Sequence, residues 1–547
     1  MTSRPRQWHI TLLLGVALVI VNTWPLLPRL DRIGRADAPD GQYSLWQATW
    51  VARAIVTDPL HVYDANIFFP HRSTLAFSEP SLLAGVMGVP AYVATKNPYA
   101  THNLAVLGYF LLSFVSALAL ARYLTGERLP AIACGMAYAF SPYMFARTAQ
   151  LPMLGTFALP LCLLALHRFV DAPSLRSAGA IGVALLLQAL SCGYYTVFAV
   201  LIVGLGMIYF GAQNGRWRSA AYWRFGTIAA AISIALCLPI FWPHLRLAQA
   251  QGFSRPMSEA YQFSADWRAW FASSAWAHRW MLPLLGRWNE VLFPGFIPVA
   301  LGVAGAWLGL RGHISVATRA VTSRSIAGFY VLIAVVAGWS AFGPAGGLYS
   351  ILYSTVPLFS FIRAAGRFGI VVTLCFAVLM ALTLTRITRS SSRGGVVAGL
   401  MVVLLGAELF SGPRPMTPAL PVSPVYRVLA DQPHGAVIEF PLFARQIDLN
   451  ARYVLMSTAH WQPLVNGFGA FWPADMQQLA SDTRSFPSDE ALSRVRAWGV
   501  RYVILHTALY ERYGLGDTAD LIRRAESLTG MTLVASDQHM RLYQLSP

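Results

Sequence analysis

Apolar residues in this chain come in long blocks rather than in the stripes or alternations of a soluble core. The blocks lie at roughly 8–28, 103–121, 129–146, 153–167, 178–193, 195–212, 225–243, 291–310, 325–342, 367–385 and 394–411. Each is about 15–20 residues, the length of an α-helix that crosses a bilayer with some tilt or local thinning. The pattern predicts about eleven transmembrane helices. A further run, Ser81 to Thr95, is short and holds Pro90, and reads as an interfacial or re-entrant helix on the outer side. The first block follows Arg4 and Arg6 and lacks a small-residue cleavage site, so it reads as a retained helix rather than a signal peptide.

The polar gaps alternate in kind. With the N-terminus in the cytoplasm, the inner gaps hold Arg122 and Arg128; Arg168 and Arg176; Arg216, Arg218 and Arg224; Arg311, Arg319 and Arg324; and Arg386, Arg389 and Arg393. The gap near Gly193 has no basic residue, and that from Ser141 to Pro152 has only Arg147. Positive charge retained on the cytoplasmic side accounts for this alternation and sets the orientation. It leaves outer loops at 29–102, 244–290 and 343–366, within a membrane domain covering 1–411.

From 412 to 547 the pattern changes. A proline-rich stretch from Gly412-Pro413-Arg414-Pro415 to Pro424 marks a boundary. Short strand patterns follow at Ala436–Phe440, Tyr502–Leu505, Met531–Ala535 and Met540–Leu545, with helical stretches near Asp475–Ala480 and Ser488–Trp498. The expected fold class is therefore mostly α: a polytopic membrane bundle followed by a small outer α/β domain. That tail has neither a nucleotide-binding glycine fingerprint nor a nucleophile elbow.

Composition agrees with a membrane protein, with 56% hydrophobic and 12% charged residues and a mean hydropathy of +0.50. The +17 charge does not indicate nucleic acid, because the basic residues are scattered singly and in pairs between apolar blocks. Lys96 is the only lysine. Cys134, Cys162, Cys192, Cys237 and Cys375 all fall inside apolar blocks, which leaves no disulfide framework and no CxxC metal site. No N-x-Ser/Thr sequon occurs, which favours a bacterial plasma (inner) membrane.

Chemistry concentrates in the first outer loop. Asp37 and Asp40 stand three apart in Arg35-Ala36-Asp37-Ala38-Pro39-Asp40-Gly41, just past the first membrane helix. Carboxylates at a membrane surface beneath aromatic residues suit general-base work, whereas Asp40-Gly41 alone also suits a simple turn. Next, Tyr43 to Val56 reads as an amphipathic interfacial helix carrying Trp46 and Trp50. Asp58 to Arg72 and Phe77-Ser78-Glu79-Pro80 are rich in acidic, basic and aromatic residues. The second outer loop holds Trp242, Trp267, Trp270, Trp276, Trp280 and Trp288, a set suited to sugar faces and to a bilayer interface alike. Glu259, Asp266 and Glu290 lie there too, and their spacing singles none of them out.

Together these features resemble the C-type (GT-C) polytopic membrane glycosyltransferases, close to uncharacterised bacterial members. The resemblance rests on a single helix followed by an acidic residue early in a long outer loop, on Asp40 preceding Trp46 and Trp50, and on Asp58-Pro59-Leu60-His61 through Asp64-Ala65-Asn66-Ile67-Phe68-Phe69-Pro70-His71. Ser141-Pro142-Tyr143-Met144-Phe145-Ala146-Arg147, Phe361-Ile362-Arg363-Ala364-Ala365-Gly366-Arg367-Phe368 and His460-Trp461-Gln462-Pro463-Leu464-Val465-Asn466-Gly467 extend it along the chain. It implies transfer of a sugar from a polyprenyl-phosphate donor lipid to a glycan, lipid or protein acceptor on the outer face. Asp40 is then the base and Asp37 the reserve. Arg147, Arg363 and Arg367 would face the leaving phosphate, with His71, Arg72 and Glu79 behind them as substrate-binding residues. Arg363 and Arg367, four apart, would share a face if helical; interfacial snorkelling explains such arginines equally well. Two departures from the pattern stand out. Arg147 to Leu151 carries no acidic residue, so the acidic pair of the metal-dependent oligosaccharide transferases is incomplete, and Gln150 stands where relatives often have His. A divalent metal is thus not supported by the sequence. Two other classes remain open: a transporter or flippase of lipid-linked glycans, and a non-catalytic envelope assembly protein. Against the transporter, no inverted repeat is visible, and Glu408 is the main acidic residue within the spans.

Overall fold

The structure, a computed structural model, describes residues 5–213, 215–252, 255–356, 359–414, 416–444 and 446–546. Arg4 and Pro415 lie outside the described residues, as does the side chain of Arg6. Among the described residues, seven helices are long and apolar enough to cross a membrane: Pro98–Thr125, Arg128–Ala146, Leu151–Asp171, Gly193–Gln213, Ala220–Gln251, Ser323–Ala341 and Ala365–Ser390. Trp8–Asn22, Leu82–Thr95, Leu175–Ser191, Phe296–Leu310 and Gly394–Leu409 are shorter apolar helices. Between them they account for every apolar block of the sequence. The chain is a multi-pass membrane protein.

Its residues divide into two compact units. One comprises 1–28, 106–242 and 254–415; the other comprises 29–105, 243–253 and 416–547. The second unit therefore takes in the first outer loop as well as the tail.

In the first unit, helix Gly369–Ser390 is buried along nearly its whole length, packed by Arg128–Ala139, Phe296–Leu310, Ser323–Ala341 and Gly394–Leu409. Small residues make this closeness possible. A Cβ on Gly305 would lie 1.9 Å from the Leu379 carbonyl oxygen, so the two helices meet backbone to backbone.

The loops of this unit sort into two ends. At one, the arginine-rich gaps are tied together: Arg389 donates to Glu127 (2.9 Å), to the Thr125 carbonyl (2.8 Å) and to the Ser315 carbonyl (2.9 Å). Arg386 donates to the His313 carbonyl (2.8 Å), Arg216 to the Val170 carbonyl, and the Ala320 amide to Asp171 (2.8 Å). All five arginine-rich gaps sit at this end, as alternating spans require. At the other, Ser274 donates to the Pro142 carbonyl (2.9 Å), the Trp276 amide to the Phe410 carbonyl (3.1 Å), and Gln188 to the Gly155 carbonyl (2.7 Å). Glu408 lies at this end, where its carboxylate accepts from the Phe296 and Ile297 amides and from His278 (3.0 Å). It caps the start of helix Phe296–Leu310.

The second unit is built on a four-stranded sheet with strands β3 (Ala436–Phe440), β4 (Val500–His506), β5 (Met531–Ser536) and β6 (Met540–Leu545), in the order β3-β4-β6-β5. β3 and β4 are parallel and the other pairs antiparallel. A two-residue ladder, β1 (Ile33–Gly34) with β2 (Thr417–Pro418), joins the start of the first outer loop to the start of the tail. Helix Pro39–Thr57 packs on Leu82–Thr95 and on Ile447–Met456.

This packing corrects the expectation that Tyr43 to Val56 lies in the lipid interface. Trp46 is 0% exposed and Trp50 8%. The Trp46 indole donates to Asn66 Oδ1 (3.1 Å), the Trp50 indole donates to the Val62 carbonyl (2.9 Å), and Trp50 sits 5.9 Å from the Trp461 ring. The aromatic face is covered by protein. Asn66 also donates to Ser457 Oγ (3.2 Å) and to the Gln462 carbonyl (3.3 Å). Backbone bonds from the Phe69 amide to the Leu464 carbonyl (3.0 Å) and from the Leu464 amide to the Asn66 carbonyl (2.8 Å) zip the two motif segments together. The Val465 amide then bonds to the Val437 carbonyl (2.8 Å), continuing the pairing onto β3. These two motifs form the joint between outer loop and tail.

Candidate functional site

Proline opens the helices that position two of the site residues, Asp40 and Arg147. Pro39 opens helix Pro39–Thr57, and its fixed φ suits the first helical turn. Asp40 follows in that turn and is solvent-exposed. Asp37 lies just before it, ion-paired with Arg35 at 3.0 Å. The turn is tight enough that a Cβ on Gly41 would strike the Arg35 carbonyl, so only glycine fits beside Asp40. Gln42 closes the turn by donating to the Ala36 carbonyl (2.8 Å).

The other candidates in this unit are distributed around the loop. His71 pairs with Asp475 of the tail (3.0 Å). Arg72 is exposed beside it. Glu79 is half-buried, and its carbonyl accepts from Gln47. Burial, with the Glu79 charge next, pushes the Tyr63 phenol well above its usual range, which sets that carboxylate near Tyr63.

In the first unit, Pro142 opens the short helix Pro142–Ala146, and Arg147 caps its end. Arg147 donates to Glu290 and to Gln150 Oε1 (3.2 Å), and its guanidinium lies 5.1 Å from the centre of the Tyr143 ring. Glu290 is 6% exposed and packs against Gly366, where a Cβ would lie 2.7 Å from the glutamate Cγ. The next residue, Arg367, stands over Tyr194 at 4.3 Å, with its Nε buried and unpartnered among the described residues. The Gly366 amide donates to the Phe263 carbonyl (3.0 Å), and Arg363 covers the Phe263 ring at 4.8 Å. Arg363 also reaches Glu259 (3.5 Å), which Arg255 holds at 2.9 Å.

The three arginines named from sequence thus gather in one neighbourhood. They do not do so as the helical pair expected of Arg363 and Arg367. Phe359–Phe361 and Ala365–Phe368 are separate 3-10 turns with Arg363 between them, so the two guanidinium groups take different aromatic platforms. Sequence reasoning missed Arg255, which is 6% exposed. Its burial, and then the nearby Arg363 charge, draw it below the ordinary guanidinium range, although Glu259 opposes this. Glu290 and Glu259 were among the undifferentiated loop acids; their roles follow from their partners. The cluster holds four arginines (147, 255, 363 and 367) against two glutamates (259 and 290), an excess of two positive charges. Such an excess suits an anionic group with several oxygens.

Of the tryptophans in the second outer loop, Trp267 and Trp280 are well exposed, and Arg279 stacks on Trp276 at 3.2 Å. Among the described residues, no three His, Cys, Asp or Glu side chains gather as a metal site.

No protein-family model and no curated protein matches the sequence. Solved structures do match. The arabinofuranosyltransferase AftD from Mycobacteria aligns over 100% of this chain with a TM-score of 0.57 at 16% identity. This chain spans 42% of AftD's length. The oligosaccharyltransferase AglB from Archaeoglobus fulgidus gives a TM-score of 0.43 at 13% identity, over 100% of this chain and 75% of that one. ArnT from Cupriavidus metallidurans gives 0.43 at 13%, over 99% and 98%. The first correspondence shows a shared fold: this chain folds like the corresponding part of the AftD structure.

Proposed function

We propose that the chain transfers a sugar from a polyprenyl-phosphate-linked donor to an acceptor hydroxyl on the outer face of the membrane. The observation that carries this reading is the arginine cluster at the end of the bundle away from the arginine-rich gaps. Four guanidinium groups, three of them paired with the buried Glu290 or the half-buried Glu259, are held ready before any ligand arrives. Such preorganised charge stabilises a phosphate as it leaves, when negative charge builds on its oxygens. Glu290 and Glu259 orient Arg147, Arg255 and Arg363, and Arg367 has a free donor to offer.

Asp40, in the second unit, is the proposed general base. Its carboxylate takes the proton of the acceptor hydroxyl while the acceptor oxygen bonds to the anomeric carbon and the carbon–phosphate oxygen bond breaks. Asp37, tied to Arg35, serves as the reserve base. The polyprenyl phosphate is the leaving group. His71, Arg72 and Glu79 line the acceptor side of the first outer loop.

The test is turnover of purified protein with membrane lipid extracts as donor pool, reading polyprenyl-phosphate sugars by mass spectrometry. Wild type should consume a donor, and Asp40→Asn should slow this by about 10²–10⁴-fold, the usual contribution of a general base. An Asp40→Asn protein as active as wild type overturns the assignment of the base; an untouched donor pool overturns the reaction.

A further inference from the structure

One surface of the second unit is more ordered, and more aromatic, than a connector needs. Phe468-Gly469-Ala470-Phe471-Trp472 is a run of five half-exposed, uncharged residues. It is bound to the first outer loop by bonds from the Ala470 and Phe471 amides to the Phe77 carbonyl (2.9 and 3.1 Å). Glycines allow this closeness: a Cβ on Gly467 would lie 2.4 Å from the Phe68 ring, and one on Gly469 would lie 3.2 Å from the Phe77 carbonyl oxygen. The rings are fixed as well. Phe468 lies 4.9 Å from Tyr43, and Trp472 meets Phe68 edge-on at 5.3 Å. Burial keeps the Tyr43 phenol neutral, and Tyr43 is three residues beyond Asp40 on one helix, so the two share a face.

Polar groups border the strip. Ser78 and Glu79 follow directly after Phe77, and the His71–Asp475 pair stands three residues past Trp472, with His71 6.2 Å from the Phe77 ring. A purely apolar partner would cover these carboxylates and leave them without water, at a cost. A ligand with an apolar face and a rim of hydroxyls satisfies both the rings and the carboxylates, and a sugar ring has that form. A platform held rigid beforehand binds it with little ordering cost.

We infer that 468–472, bordered by Glu79 and the His71–Asp475 pair, is a subsite for a neutral carbohydrate and holds the acceptor glycan beside Asp40. The assignment of its ligand as the acceptor rests on the transferase reading. Trp472 and Phe471 stack on the sugar, while Glu79 and Asp475 accept from its hydroxyls.

Direct binding of neutral oligosaccharides (cello-, malto-, manno- and arabino-series) is measured by saturation-transfer NMR on full-length protein, in parallel with donor consumption. At least one series should bind wild type; Trp472→Ala should weaken it about tenfold, and Trp472→Phe, which keeps a ring, should restore most of it. Hydrogen exchange over 60–80 and 460–476 shows that the variants keep the joint folded. Binding that is absent from wild type, or equal in Trp472→Ala, overturns the subsite, as does a peptide displacing the sugar while Trp472→Ala leaves sugar affinity unchanged. If Trp472-dependent binding appears but no donor is consumed, the subsite stands and the transferase reading fails. If donor is consumed and Trp472→Ala leaves the acceptor KM unchanged, the reverse holds.

Discussion

Replacing Asn66 by alanine tests whether the two motif segments are a joint. The side chain is 9% exposed and makes three hydrogen bonds: it accepts from the Trp46 indole and donates to Ser457 Oγ and the Gln462 carbonyl. Losing a typical bond costs about 1 kcal/mol, and a buried donor left without a partner costs about 1–3 kcal/mol. Trp46, at 0% exposed, is left in that position, so Asn66→Ala should cost roughly 3 kcal/mol in the second unit. The readout must separate the units. All five cysteines lie in the first unit, so a thiol-reactive dye followed during heating reports that unit and should show little change. Hydrogen exchange reports the second. Amides of Phe69, Leu464 and Val465, bonded across the joint, should lose about 100-fold of protection, the equivalent of that free energy. Protection close to wild type would refute the joint.

Three further outcomes follow from the geometry. Gly305→Leu should lower the folded yield through overpacking of about 1–3 kcal/mol or more against the Leu379 carbonyl, whereas Gly179→Leu, with nothing within 4 Å, should be tolerated; detergent-solubilised yield by size-exclusion chromatography compares them. Burial lowers His460 to about 3, so the folded state leaves it neutral while the unfolded chain protonates it near pH 6.5. Its stabilisation is therefore complete above about pH 6.5 and declines as pH falls toward 3, by about 2 kcal/mol at pH 5; urea unfolding of wild type should show this slope, and His460→Gln should lack that part of it. Arg255→Ala should raise the donor KM about tenfold, the loss expected of one charge-assisted contact, and an unchanged KM would remove Arg255 from the cluster.

Patterns set by local periodicity were legible in the sequence. Each apolar block became a helix, and the four tail strands appeared where alternation and turn residues marked them. Identity of the covering surface was not legible. Trp46 and Trp50 four apart look the same whether lipid or protein covers them, and the partner here is the tail's Trp461 and the Asn66 segment. Pairings across long sequence separations were equally hidden. Arg147 meets Glu290 from 143 positions away, a pairing that no local pattern announces. Arg255 escaped notice because nothing local distinguishes it from an interfacial arginine. The i, i+4 spacing of Arg363 and Arg367 misled for a related reason: a shared face exists only where the backbone is a continuous helix, and here two short turns interrupt it.

The joint between outer loop and tail also has a consequence for biosynthesis. Asn66 and Ser457 are 391 residues apart. At a synthesis rate of about 5–20 residues per second, the first outer loop waits roughly 20–80 s for its partner to emerge. Throughout that interval Trp46, Trp50 and Phe68 have no tail to bury them, and the loop is open to proteases and to aggregation. A chain stopped anywhere before the tail would carry this loop without the Ser457 and Leu464 partners that close over it, so the joint forms only at the end of synthesis.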